Sequence, residues 1–248
     1  MRPMDAAVDG RTVNVATSSG DMAVYDARPT GETRGGVIVI QEAFGVTSHI
    51  EEVTRRFAAA GYRAVAPHLF YRTGDPALSY DNLDDIWPHL KELRGDQILE
   101  DVDAALGYLE DAAGIAPASV AIVGFCMGGT VTALTAAKRQ LGAAVSFYGG
   151  GVAEGRFGMP PLVEIAPTFQ TPWLGLYGGQ DEGIPVEQAE ALREAAKLSS
   201  VPTDLVVYPD AGHGFHCNER PKSFHEASAK DGWHRTLAWF DEHLPARR

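Results

Sequence analysis

Hydrophobic and polar positions change period along the chain, and each change predicts an element. Residues 11–29 read as two strands around the turn TSSGD, an antiparallel hairpin. GGVIVI (35–40) is an unbroken apolar run with β-branched residues, the pattern of a strand buried on both faces. TSHIEEVTRRFAAAGY then predicts a helix with Ser48 as N-cap and Gly61 as its stop, and RAVAP (63–67) a strand closed by proline. DQILEDVDAALGYLEDAAG places Ile98, Val102, Ala105 and Leu109 on one helical face. Alternation continues through SVAIVGF (strand), MGGTVTALTAAKR (helix), GAAVSFYGG and TPWLGLYGGQD (strands), VEQAEALREAAKL (helix), TDLVVYP (strand) and a last helix over 224–243.

Strand–helix alternation of this kind predicts an α/β protein: a mostly parallel central sheet with helices on both faces, extended by the N-terminal hairpin. No repeat or linker divides the chain, so residues 1–248 are expected to form a single domain. Residues 68–95 are polar, aromatic and turn-rich, an insertion suited to a lid or a pocket wall. Ligand sites of such sheets lie at the carboxyl ends of the strands. That rule gathers QEAFG, GFCMGG, GGQDEG and DAGHGFH on one edge.

Composition narrows the function. A formal net charge of -12 argues against nucleic acid or an anionic membrane as partner and leaves a small molecule. The two cysteines, Cys126 and Cys217, make no disulfide framework, and a reducing cytoplasm is the expected home. The first ten residues lack the apolar region of a signal peptide, and no apolar run approaches the ~18 residues of a membrane span. A monomer is the default expectation.

The stretch GFCMGG, between a strand and a helix, fits the turn G-x-nucleophile-x-G. The following helix aims its N–H groups and positive dipole end at Cys126, which favours thiolate over thiol. A glycine-rich turn holding a small buried cysteine is the bland alternative. In this fold the triad follows the order nucleophile, acid, histidine. Asp181 and His213 each follow a strand, in that order. A histidine so placed can take the thiol proton and return it to a leaving group, with the aspartate fixing its tautomer.

Taken together, VIVIQEAFGVTSHI, GYRAVAPHLFYR, VGFCMGG, YGGQDEGIP and DAGHGFH resemble the dienelactone hydrolase (carboxymethylenebutenolidase) family of the α/β-hydrolase fold. The resemblance implies a Cys126–Asp181–His213 triad and no cofactor. It also implies that Glu42 pairs with the resting thiol until substrate displaces it. The N–H groups of Ala43 and Met127, just past two strand ends, are then expected to form the oxyanion hole. The implied activity is hydrolysis of a carboxylic ester or lactone through a thioester. A thioester or amide hydrolase on the same triad, or a small-molecule-binding protein on this scaffold, are the alternatives.

The likeness thins at the substrate. Family members acting on dienelactone hold its carboxylate with arginines, one of them four residues past the histidine, where this chain has Cys217. Arg72, Arg94 and Arg220 are nearby in sequence, and nothing chooses among them. Tyr148, His216 and Tyr71 are candidate pocket residues, and Cys217 is expected as an incidental thiol near the mouth. Phe70, Tyr71, Tyr80 and Trp87 serve equally as a substrate wall or as packing for the insertion. HGFHC has no second cluster of ligands, so no metal is expected.

Overall fold

The computed structural model describes residues 8–245. Its eight strands are β1 (Gly10–Thr17), β2 (Gly20–Ala27), β3 (Gly36–Ile40), β4 (Arg63–Pro67), β5 (Val120–Phe125), β6 (Ala143–Phe147), β7 (Trp173–Gly178) and β8 (Thr203–Tyr208). They form one sheet in the order β1-β2-β4-β3-β5-β6-β7-β8. The pairs β1–β2 and β2–β4 are antiparallel and every other pair is parallel. The helices are α1 (Ser48–Ala59), α2 (Trp87–Glu92), α3 (Gly95–Ala113), α4 (Met127–Lys138), α5 (Leu162–Ile165), α6 (Val186–Ala196) and α7 (Glu226–His243).

The unbroken apolar strands follow from cores on both faces of the sheet. Ile38 and Ile40 of β3, with Val120 and Ile122 of β5, face the core covered by α3, α4 and α6. Their neighbours Val37, Val39, Ala121 and Val123 face the core covered by α1 and α7. Period-two alternation is present, but both phases are apolar. Helix α4 lies deepest: every residue from Met127 to Ala137 is buried, so it has no polar face to betray it as amphipathic.

Three details differ from the sequence reading. Thr47, not Ser48, is the N-cap residue of α1, and the Ser48 hydroxyl instead donates to Glu219 at 2.8 Å. Gly61 does mark the stop, at φ +98° one residue past the cap Ala60. Helix α7 begins at Glu226 rather than at 224, and α2 and α5 are short helices that the pattern did not single out.

The insertion is tied down at several points. The Arg72 guanidinium grips the buried carboxylate of Asp101 on α3 through two hydrogen bonds of 2.6 and 2.9 Å. The Tyr71 hydroxyl bonds the same carboxylate at 3.0 Å. Leu78 N–H donates to Phe44 O at 2.8 Å, so the loop also closes onto the turn after β3. Such a burial of charge is stable only because the carboxylate is fully paired.

Candidate active site

The turn after β5 explains its own sequence. Cys126 has φ 55° and ψ −116°, a conformation that L-residues rarely adopt and that must be enforced by the surroundings. Its N–H donates to Phe147 O on β6 at 3.0 Å, and its carbonyl accepts from Gly129 N–H at 3.0 Å. The flanking glycines are required by space. A Cβ on Gly124 would stand 2.0 Å from Gly128 O, and one on Gly128 would stand 2.5 Å from Ile40 O. Side chains there would push α4 off the sheet, and with it the side chain of Cys126, which is left half-buried.

His213 and Asp181 arrive from the last two parallel strands of the chain, β8 and β7. Asp181, after β7, is buried; its Oδ1 accepts from the N–H groups of Gly183 (2.9 Å) and Ile184 (3.1 Å). Its Oδ2 lies 2.7 Å from Nδ1 of His213, in the segment after β8. Burial disfavours the imidazolium. The neighbouring Cys126 and Asp181, through charge and hydrogen bonding, more than offset it and push His213 up to about 10. Ala43, after β3, and Met127, the first residue of α4, line one cleft with Cys126. The Met127 N–H is among those a helix start leaves without an intrahelical acceptor. All of these residues therefore meet at one edge of the sheet, as the alternation predicts.

Glu42 is fully buried close by. The Tyr80 hydroxyl donates to its Oε2 at 3.3 Å, and Oε1 has no hydrogen-bond partner. No hydrogen bond joins Glu42 to Cys126 in this structure. Cys217 is also fully buried, a correction to its expected place at the mouth. Burial and the charge of Glu42 push its thiol up to about 12, so it is held protonated. The same two causes, in the same order, raise Tyr80.

The candidate pocket residues separate. Tyr148 stays with the site: it is buried at φ 39°, its ring centroid is 5.1 Å from that of His213, and its hydroxyl has no partner. His216 lies elsewhere, stacked on Phe125 with centroids 4.9 Å apart, in the core beneath α1. Its burial, then the charges of Arg56 and His49, hold it well below the usual imidazole range. Tyr71 is committed to Asp101 and to Thr17 (2.8 Å), away from the cleft. Of the four aromatics in the insertion, Trp87 lines the cleft beside Cys126, while Phe70 is packed into the core.

The arginines divide in the same way. Arg72 is spent on Asp101, and Arg94 donates to the carbonyls of Lys91 and Leu93. Arg220 faces the rings of Phe44 and Tyr80, 5.6 and 5.7 Å from their centroids. Arg156, which sequence reasoning passed over, lines the cleft with Cys126. It sits in the loop after β6, the strand end that also carries Tyr148, and that position was the available signal. Among the described residues no group of three His, Cys, Asp or Glu side chains could hold a metal ion, and no helix is long and apolar enough to cross a membrane.

The chain is similar to known proteins in sequence and, for a solved structure, in fold. A protein of Salmonella typhimurium, provisionally described as a carboxymethylenebutenolidase, is 41% identical over 243 residues, covering 96% of this chain and 89% of its own length. A protein of Escherichia coli with the same provisional description is 40% identical over 246 residues, covering 97% and 89%. The crystal structure of a provisionally described dienelactone hydrolase from Klebsiella pneumoniae matches with a TM-score of 0.87 at 38% identity, covering 95% of this chain and 99% of that one. The model of the dienelactone hydrolase family spans residues 22–244, from the hairpin's second strand to the end of α7, and this chain belongs to that family.

Proposed function

We propose that this protein is a cysteine-dependent hydrolase of small-molecule carboxylic esters and lactones that works through a thioester. The observation that supports the reading is that Cys126, on its strained turn at the start of α4, neighbours His213 of the His213–Asp181 pair. In this reading the Cys126 sulfur attacks the substrate carbonyl carbon. The N–H groups of Ala43 and Met127 receive the developing oxyanion, each donor contributing roughly 3 kcal/mol. His213, held as imidazolium beside Asp181, protonates the departing oxygen. A water molecule then gives its proton to His213 and attacks the acyl carbon, and the C–S bond breaks.

Glu42 serves as the resting proton acceptor for the thiol. Its Oε1, buried and without a partner, is the free acceptor, while Tyr80 holds Oε2. Two free cysteines fit the reducing cytoplasm expected from the sequence. The relatives' descriptions as carboxymethylenebutenolidases support the same bond type, cleavage of a carboxylic ester within a lactone.

The test is turnover of 4-nitrophenyl acetate and of dienelactone by the wild type and by Cys126→Ala. Loss of turnover by about a thousandfold or more, with an acyl adduct on Cys126 seen by mass spectrometry of the quenched wild type, is expected. A Cys126→Ala protein that retains full activity would end the reading.

A further inference from the structure

Two clefts adjoin the candidate pair of Cys126 and His213, and their chemistry differs. One, of about 460 Å³, is lined by Cys126, Ala43 and Met127, by the apolar Ile86, Leu90 and Phe157, and by the cations Lys91 and Arg156. The other, of about 890 Å³, is lined by His213 and Asp181, by the polar Gln180, Glu182, Asp210 and Lys222, and by the apolar Leu83 and Phe224. Trp87, half-exposed on α2, lines both. None of Lys91, Arg156, Glu182, Asp210 and Lys222 is in an ion pair among the described residues.

Acyl transfer dictates which half of an ester occupies which cleft. The carbonyl carbon must reach the Cys126 sulfur with its oxygen on the Ala43 and Met127 N–H groups, so the acyl arm runs in the first cleft. The departing oxygen must face His213, so the alcohol runs in the second. A lactone keeps its alcohol tied to its acyl group in one ring and needs only one cleft. A substrate that fills both is divided at the scissile bond.

Resting on the hydrolase reading above, we infer that this site takes an open-chain ester of a polyhydroxylated alcohol, with an apolar acyl arm carrying an anion. Hydroxyl groups both donate and accept, and the second cleft offers acceptors on Glu182 and Asp210 with donors on Lys222 and Gln180. The first cleft offers apolar side chains together with two cations without acidic partners, which suits an apolar acyl arm that carries a carboxylate. In the first step the S–C bond forms, the C–O bond breaks, and the alcohol leaves with the proton of His213. In the second, water supplies the hydroxyl of the freed acid, its proton passes to His213, and the thiolate is restored.

The experiment compares kcat/KM for four probes: monoglyceryl glutarate, monomethyl glutarate, monoglyceryl valerate and δ-valerolactone. 4-Nitrophenyl acetate reports the machinery alone. Monoglyceryl glutarate is expected to exceed each of the other three by about tenfold or more, the scale of one hydrogen bond to a charged group. Arg156→Ala is expected to shrink the glutarate-to-valerate ratio about tenfold, and Asp210→Ala to shrink the glyceryl-to-methyl ratio, each more than the other. Equal kcat/KM across the series, or preference for δ-valerolactone, while 4-nitrophenyl acetate is still cleaved, overturns the inference and leaves the hydrolase reading standing. No turnover of 4-nitrophenyl acetate overturns both.

Discussion

The edge where His213 meets Asp181 and the aromatic cluster that holds His216 are neighbours on one segment after β8, yet they impose opposite charge states on the same side chain. Both histidines lose water. His213 regains more than it loses, because the charge of Cys126 favours the imidazolium and Asp181 lies 2.7 Å from its Nδ1. His216 regains nothing: Phe125 and Phe147 flank it at 4.9 and 5.1 Å, the charge that reaches it from Arg56 is positive, and its Nδ1 has no partner. Burial thus decides the outcome at His216, whereas at His213 neighbouring groups that favour the imidazolium override it.

The comparison breaks most sharply at Asp181. Asp181→Asn should lower kcat for an ester substrate by about a thousandfold or more, because the imidazole loses its orientation and its charge partner. Titration of the His213 ring by NMR should show its pKa falling from the region of about 10 toward the ordinary imidazole value. An unchanged titration would mean that Asp181 does not set the charge of His213.

Phe125 touches both regions, being the residue before Cys126 and the ring under His216. Phe125→Ala should cost about 3–5 kcal/mol in denaturant unfolding, as expected for an emptied aromatic site in a close-packed core. A cost below about 1 kcal/mol would show that the two regions are not joined through that ring.

His216→Phe sharpens the contrast by keeping the stack and removing the titration. The buried His216 has a folded pKa well below 6.5, so the unfolded chain binds a proton that the native one refuses. Stability should therefore fall as pH drops below about 6.5, by at most about 1.4 kcal/mol per unit from this group. In the variant that part of the acid slope should vanish when unfolding is followed between pH 4 and 7. An identical slope would assign the acid sensitivity to other groups.

The smallest effect has the opposite sign. His213 has a raised folded pKa, so its contribution is fully present below about 6.5 and is lost as pH rises toward about 10. Unfolding midpoints of wild type and His213→Gln should converge over that range. Its side chain is partly open to solvent, which screens the contribution. Midpoints that stay parallel from pH 6.5 to 10 would contradict the assignment.

Much of the architecture was legible in the pattern of the chain. The both-phase apolar runs of β3 and β5 announced a sheet covered on two faces, and the strand-ending motifs fell on one edge as alternation requires. Cys126, Asp181 and His213 were legible as candidates from type and order, because each follows a parallel strand and topology brings those ends together. The glycines around Cys126 were readable too, since only a close backbone approach calls for them at that spacing. What periodicity could not supply was the direction of a side chain in irregular backbone. Only tertiary structure sent His216 into the aromatic core, buried Cys217 beside Glu42, committed Arg72 to Asp101 and set Arg156 in the cleft. The physical reason is range. Strand and helix order is written in neighbours along the chain, whereas the charge and reach of a loop residue depend on partners brought from distant segments by the fold.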